Sequence, residues 1–246
     1  MKKSIPRRGA KWRLSSLLAL WLIGSCGLAG KQAATAQDSP RQGEVEQRPV
    51  EPQQQPNPPA GPPAAIEGFR QALFGMTEEQ VRQVARKDFP AAAAKISSAV
   101  HPSEKTTVLS LTVTDLLPNT GNAHVSYIFG YRSKKLIQIN IVWTSEGSAA
   151  SDETVVGTAN SLRDYFASQN YKPDSAVANR QIAEDTILVF RANDRQERTV
   201  LLVLSGVAAA ARREEKKGRQ PLLTLELSYI LDAAHPDVFR IAKGQF

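Results

Sequence analysis

The sequence predicts an α+β fold in which two helix-then-three-strand units form an antiparallel sheet with helices on one face. Three observations carry this. Segments of apolar–polar alternation recur after residue 105, a capped amphipathic helix precedes each group of them, and short turn-forming stretches separate neighbours. Period two is the signature of strands buried on one face only, and intervals this short suit antiparallel hairpins.

The chain opens on Lys2, Lys3, Arg7, Arg8, Lys11 and Arg13 without an acid, and Leu14 to Gly30 is uncharged and mainly apolar. A basic head before such a run is an export signal, and the run is short for a spanning helix. Two processing sites follow from it. Ala34-Thr35-Ala36 before Gln37 has the small-x-small form that makes 1–36 the signal. Leu22-Ile23-Gly24-Ser25-Cys26 has the form of a bacterial lipobox, which ends the signal before Cys26 and makes Cys26 the lipid attachment and a membrane tether. Either route places the mature chain in the periplasm or anchored on the periplasmic side. Cys26 is the single cysteine, so the domain beyond it contains no disulfide.

The formal charge of +7 belongs to this leader. Residues 1–36 hold seven of the 31 Lys and Arg and none of the 24 acids, which leaves 24 of each sign in the remainder. A nucleic-acid partner is therefore not expected. From Gln37 to Ala65 the chain has eight prolines in 29 residues and few side chains able to form a core, the composition of a disordered Pro/Gln-rich linker.

The first unit, 66–145, is organised by Phe69 to Pro90. Thr77 and Gln80 have the spacing of a capping box, with Met76 and Val81 placed as a hydrophobic staple. Glu78 and Glu79 suit the start of the helix dipole, Arg86 and Lys87 its end, and Glu78 faces Arg82 one turn on. Val81, Val84 and Ala85 give a narrow apolar stripe, and Pro90 stops the helix near Phe89. Ala91 to Val100 is ambiguous. Strands are then expected over Thr106–Asp115, Ala123–Phe129 and Leu136–Thr144, separated by PNTGN and GYRSKK turns.

The second unit, 151–241, begins with a helix over Glu153–Gln169, on which Val155, Ala159, Leu162 and Phe166 recur at helical spacing before Asn170 and Pro173 end it. Strands are expected over Thr186–Arg191, Thr199–Ser205 and Leu222–Leu231. The helix-then-three-strands order is thus repeated with negligible residue identity between the halves. Between the last two strands, GVAAAARREEKKGRQ reads as a flexible loop or a short exposed helix.

Gly75-Met76-Thr77, Val81 and Pro90 together resemble the helix-opening motif of the BamE/SmpA-type envelope lipoproteins and of the β-lactamase inhibitor protein. The match covers about fifteen residues. Asp88 and Phe89 stand where the motif has a glycine before the proline, and the second half lacks the motif. The resemblance implies a small helix-plus-antiparallel-sheet module, non-catalytic and binding other proteins.

Catalytic and metal chemistry have little support in the residues. His101, His124 and His235 are scattered, and no nucleophile elbow or phosphate-cradling loop occurs, so no cofactor is expected. Arg212, Arg213, Lys216, Lys217 and Arg219 are interrupted by Glu214 and Glu215 and read as a solvated loop. The leading expectation is a non-catalytic exported envelope protein that binds a protein partner or supports envelope assembly. A periplasmic small-molecule or lipid carrier and a hydrolase with dispersed catalytic residues are the alternatives.

Strand alternation also places the site. With Leu109, Leu111, Val113, Tyr127, Ile139, Ile141 and Trp143 turned toward the helices, the opposite face carries Ser110, Thr112, His124, Ser126, Ile128, Gln138, Asn140 and Val142. Polar with apolar islands, this is the expected partner-binding face.

Overall fold

The computed structural model describes residues 61–145, 151–208, 222–241 and residue 244. The expected export signal with Cys26, the expected linker as far as residue 60, and the basic stretch 209–221 lie outside the described residues. Among those described, no helix is long and apolar enough to cross a membrane.

The first helix, α1 (Glu78–Asp88), starts where its chemistry requires. The Thr77 hydroxyl accepts from the Gln80 amide at 3.3 Å, and the Gln80 side-chain oxygen accepts from the Thr77 amide at 2.9 Å, so two otherwise orphaned donors are satisfied reciprocally. Arg82 donates to Glu78 at 2.8 Å. Before the helix, Gly68–Phe69 (β1) and Ala72–Leu73 (β2) form a small hairpin that turns through Arg70 at φ 54°. The hairpin is pinned to the far end of α1. Gln71 donates through its backbone and side chain to the Asp88 carboxylate, and the Arg70 guanidinium lies over the Phe89 ring at 4.6 Å.

Eight strands form where six were expected. They are β3 (Ser97–Val100), β4 (Thr107–Thr114), β5 (Asn122–Phe129), β6 (Leu136–Thr144), β7 (Val177–Ala183), β8 (Thr186–Asn193), β9 (Thr199–Ser205) and β10 (Thr224–Ile230). The second helix, α2 (Asp152–Ala167), lies between β6 and β7, so each helix is followed by four strands and not three. The additions are β3 and β7, and they are the two edges of the sheet, whose order is β3-β4-β5-β6-β10-β9-β8-β7. These edge strands have no buried face and therefore no period-two signal: every residue of β3 is exposed, and all of β7 except Ile182. The ambiguous Ala91 to Val100 segment resolves into a 3₁₀ turn, Pro90–Lys95, and then β3.

All neighbouring strands are antiparallel, and the two four-strand groups join through their last members, β6 and β10. Across that seam Trp143 stands opposite Leu225, Ile141 opposite Leu227 and Ile139 opposite Tyr229. The core lies on this side. Leu109, Leu111, Tyr127, Ile139, Ile141 and Trp143 are almost fully buried, as are Val81 and Ala85 of α1 and Val155, Ala159 and Phe166 of α2. Phe166 stacks on Phe190 and meets Tyr229 edge-on, while Phe69 stacks on Phe89 and Tyr229. Both helices and the small hairpin therefore share one face.

Two aspartates tie distant chain segments to the sheet. Asp194, 2% exposed in the β8–β9 turn, accepts from the amides of Ile66, Gln196 and Arg198, and Arg198 donates back to the Ile66 carbonyl. The preceding residues dock as well: Asn170 accepts from the Ala64 amide and donates to the Gly61 carbonyl, so residues 61–65, expected in the linker, contact the folded part. At the other end of the chain, Asp237 accepts from the amides of Arg132 and Ser133 in the β5–β6 turn. Gly130 leaves room for this, since a Cβ there would lie 2.2 Å from the Asp237 carboxylate.

Two outcomes follow from these contacts. Thr77→Ala should lower stability by about 1 kcal/mol, the usual loss for a removed N-cap, in denaturant unfolding of the matched pair. Burial alone would push the Asp237 carboxyl up, but the Ser133 and Arg132 amides outweigh it and hold it below its ordinary value. The clamp therefore stabilises the fold above the unfolded value of about 3.9, and its contribution is lost as pH falls through the lower folded one. Unfolding measured from pH 5 to pH 2 should fall less steeply for Asp237→Asn than for the unaltered chain.

Candidate functional site

The antiparallel register builds one surface from the alternate residues of each strand. Thr112, His124 and Val142 lie side by side on β4, β5 and β6; Ser110, Ser126 and Asn140 form the next row; Ile128 and Gln138 stand in the third. All eight residues expected on the face opposite the helices are therefore brought together there. Among the described residues, no helix or hairpin packs on this side.

The side chains are half-buried rather than fully solvated, because each stands among neighbours on adjacent strands. Thr112 is exposed and Gln138, 8% exposed, is the most enclosed. Their polar atoms are partly paired along the face. The Ser110 and Ser126 hydroxyls are 3.1 Å apart, Thr112 Oγ1 lies 3.3 Å from His124 Nδ1, and Gln138 Nε2 donates to Asn140 Oδ1 at 2.8 Å. Burial pushes the His124 imidazole below its ordinary value.

The face does not stop at β6. Through the seam, Val142 is followed by Glu226, Val203 and Leu188, and Asn140 by Ser228, Leu201 and Arg191. These residues of the second half were not singled out from sequence. The alternation of Leu223, Leu225, Leu227 and Tyr229 does turn Glu226 and Ser228 outward, but only the pairing of β10 with β6 makes them neighbours of Val142 and Asn140. Glu226 occupies the middle of the surface, on the fifth strand of eight. Its carboxyl is pushed up by burial, which the Ser228 hydroxyl at 3.4 Å only partly offsets.

The three histidines remain apart. His101 accepts from the Glu104 amide in the β3–β4 turn, His235 lies by Asp232 near the end of the chain, and His124 is on the sheet face. Among the described residues no group of three or more His, Cys, Asp or Glu is gathered as a metal site. Trp143 and Tyr229 belong to the helix-side core. A separate cleft of about 480 Å³ runs between the β4–β5 loop and α2, lined by Leu117, Asn119, Thr120, Thr154, Gly157 and Thr158 among others. Its Thr120 and Thr158 hydroxyls are turned into backbone carbonyls, and no ionisable side chain lines it.

His124 offers a direct check on how enclosed the face is. Its imidazole resonances should titrate below about 6.5, the value of a free histidine side chain. Since the folded value is the lower one, protonation opposes folding, and stability should decline as pH falls from about 6.5 to the folded value and level off beneath it. His124→Asn should remove that decline. Compared with protein-family models, curated proteins and solved structures, the chain matches none.

Proposed function

We propose that this chain is an exported bacterial envelope protein that acts without catalysis, by binding a protein partner or supporting envelope assembly through the open sheet face. The observation that carries the reading is the composition of that face. At its centre Ile128, Val142, Leu201 and Val203 alternate with hydroxyl, amide and carboxyl groups across five adjacent strands, with no described element over them. Mixed apolar and hydrogen-bonding surface of this kind is what protein interfaces consist of, whereas a catalytic site needs convergent groups in a concave pocket. On the same reading, the repeated order of a helix followed by strands makes two tandem units, joined through β6 and β10 so that both contribute to one surface. Processing before Cys26 would add a lipid tether to the membrane.

The cleft beside α2 gives the carrier reading its one point of support, since its lining is mostly apolar and its volume suits a small ligand. It is short of polar groups that would fix an orientation, and the sheet face is far more extensive.

Ile128→Lys and Val142→Lys test the interface. Both residues are half-buried on the open face, so the unfolding free energy should change by less than about 1 kcal/mol. Cross-linking in envelope extracts should then lose the partner band seen with the unaltered chain. Retention of that band by a stably folded double variant would remove the face as the binding surface.

A further inference from the structure

We propose that the open face recognises a cationic side chain, a lysine or arginine carried on a loop of its protein partner, and that Glu226 is the group that receives it. The inference rests on the interface reading above and specifies what that interface selects. Glu226 stands between Val142 on β6 and Val203 on β9, with Leu188 beyond Val203. A carboxylate set in a row of Val and Leu loses hydration without gaining an apolar contact, and only an opposite charge or several hydrogen bonds can offset that loss. Among the described residues neither is provided. Ser228 is the one side chain hydrogen-bonded to it among the described residues, at 3.4 Å, and no described cation forms a salt bridge with it.

The described charged and titratable groups of this face are all at a distance. On β6 its neighbours are Val142, Asn140 and Thr144, and on β9 Val203, Leu201 and Ser205, none of which ionises. His124 lies two strands away on β5, with its imidazole held neutral by burial at neutral pH. Arg191, on β8, is also two strands away, about 10 Å at the usual strand spacing, and Arg180 on β7 is a further strand out. Both arginines are exposed. The surface thus places one negative group at its centre and its positive groups toward one edge. A partner side chain with a long aliphatic stem and a cationic head fits the centre: the stem would cover Val142 and Val203, and the head would reach the carboxylate. Because burial raises the Glu226 carboxyl, the acceptor loses its charge at a higher pH than an ordinary glutamate, and the contact should weaken as it does so.

Displayed random peptides selected against the mature chain provide the probe, with affinities then measured for Glu226→Gln and Ile128→Lys. Val142→Lys is unsuitable, since its own ammonium would lie beside Glu226 and occupy the site. Support consists of binders enriched in Lys or Arg that lose at least about tenfold in affinity to Glu226→Gln, as expected for a charge-assisted hydrogen bond, and that weaken with falling pH in a way the Glu226→Gln chain does not. Glu226→Gln should leave the unfolding midpoint unchanged or raised, which separates lost recognition from lost structure. Binders that are lost on Ile128→Lys but show no cation enrichment and ignore Glu226→Gln would overturn the cation reading while leaving the interface standing. Binders indifferent to both changes, or a selection that gives no binder to the unaltered chain, would overturn the interface and this inference with it.

Discussion

Everything else in the molecule depends on the pairing of β6 with β10. Seven residues of each strand are in register, and on the helix side this sets Trp143 against Leu225 and Ile141 against Leu227, all of them almost fully buried. Full burial of large apolar side chains contributes roughly 1.5–3 kcal/mol apiece, so these residues add substantially to the stability of the sheet. The core also contains a cost. Tyr127 Oη and Trp143 Nε1 are buried without a hydrogen-bond partner, and each such group forfeits about 1–3 kcal/mol of hydration. The seam joins residues 80 to 92 positions apart, and its closure entropy has to be met before the contacts reward it.

Once the seam exists, two carboxylates fix the chain on either side of it. Asp194 accepts three amides, one of them Ile66, 128 residues distant, and so binds the entry of the chain to the β8–β9 turn. Asp237 binds the chain beyond β10 to the β5–β6 turn, and Phe239 supports it by packing edge-on against Tyr131. In both cases a short acidic side chain satisfies turn amides that strand pairing leaves over, and a segment without secondary structure of its own becomes part of the fold. The two ties cross between the halves: residues near the start of the chain rest on the last strands, and residues near its end rest on the first.

What was legible in the sequence is what repeats along the chain. The reciprocal Thr77–Gln80 cap, the stripes of both helices and the strands β4, β5, β6, β8, β9 and β10 each carry a local signal, of spacing or alternation, that tertiary structure did not need to supply. The unread elements lack one. β3 and β7 are exposed edges in which no face is buried, and β1 and β2 are two-residue strands held by Asp88 and Arg70 rather than by pattern. The open face was legible in its first half for the same reason, because alternation in consecutive hairpins determines which residues share a side. Its second half was not, since the adjacency of Val142 to Glu226 depends on a pairing between distant strands. A glutamate within Leu-Glu-Leu-Ser reads as an ordinary solvated position until Val142 and Val203 are placed beside it.

The two four-strand groups contribute differently to the open face. The first supplies Ser110, Thr112, His124, Ser126, Gln138 and Asn140, neutral groups largely occupied with one another. The second supplies Leu188, Leu201 and Val203 around Glu226, with Arg180 and Arg191 toward the edge at β7. A two-fold rotation normal to the sheet at the Ile141–Leu227 pair would place Val142 on Ser228 and Asn140 on Glu226, so the exchanged positions carry different chemistry. On the proposed reading, a partner would meet an uncharged half in which Ile128 and Val142 stand among hydrogen-bonding groups and a more apolar, charged half, a difference that would discriminate between opposed orientations.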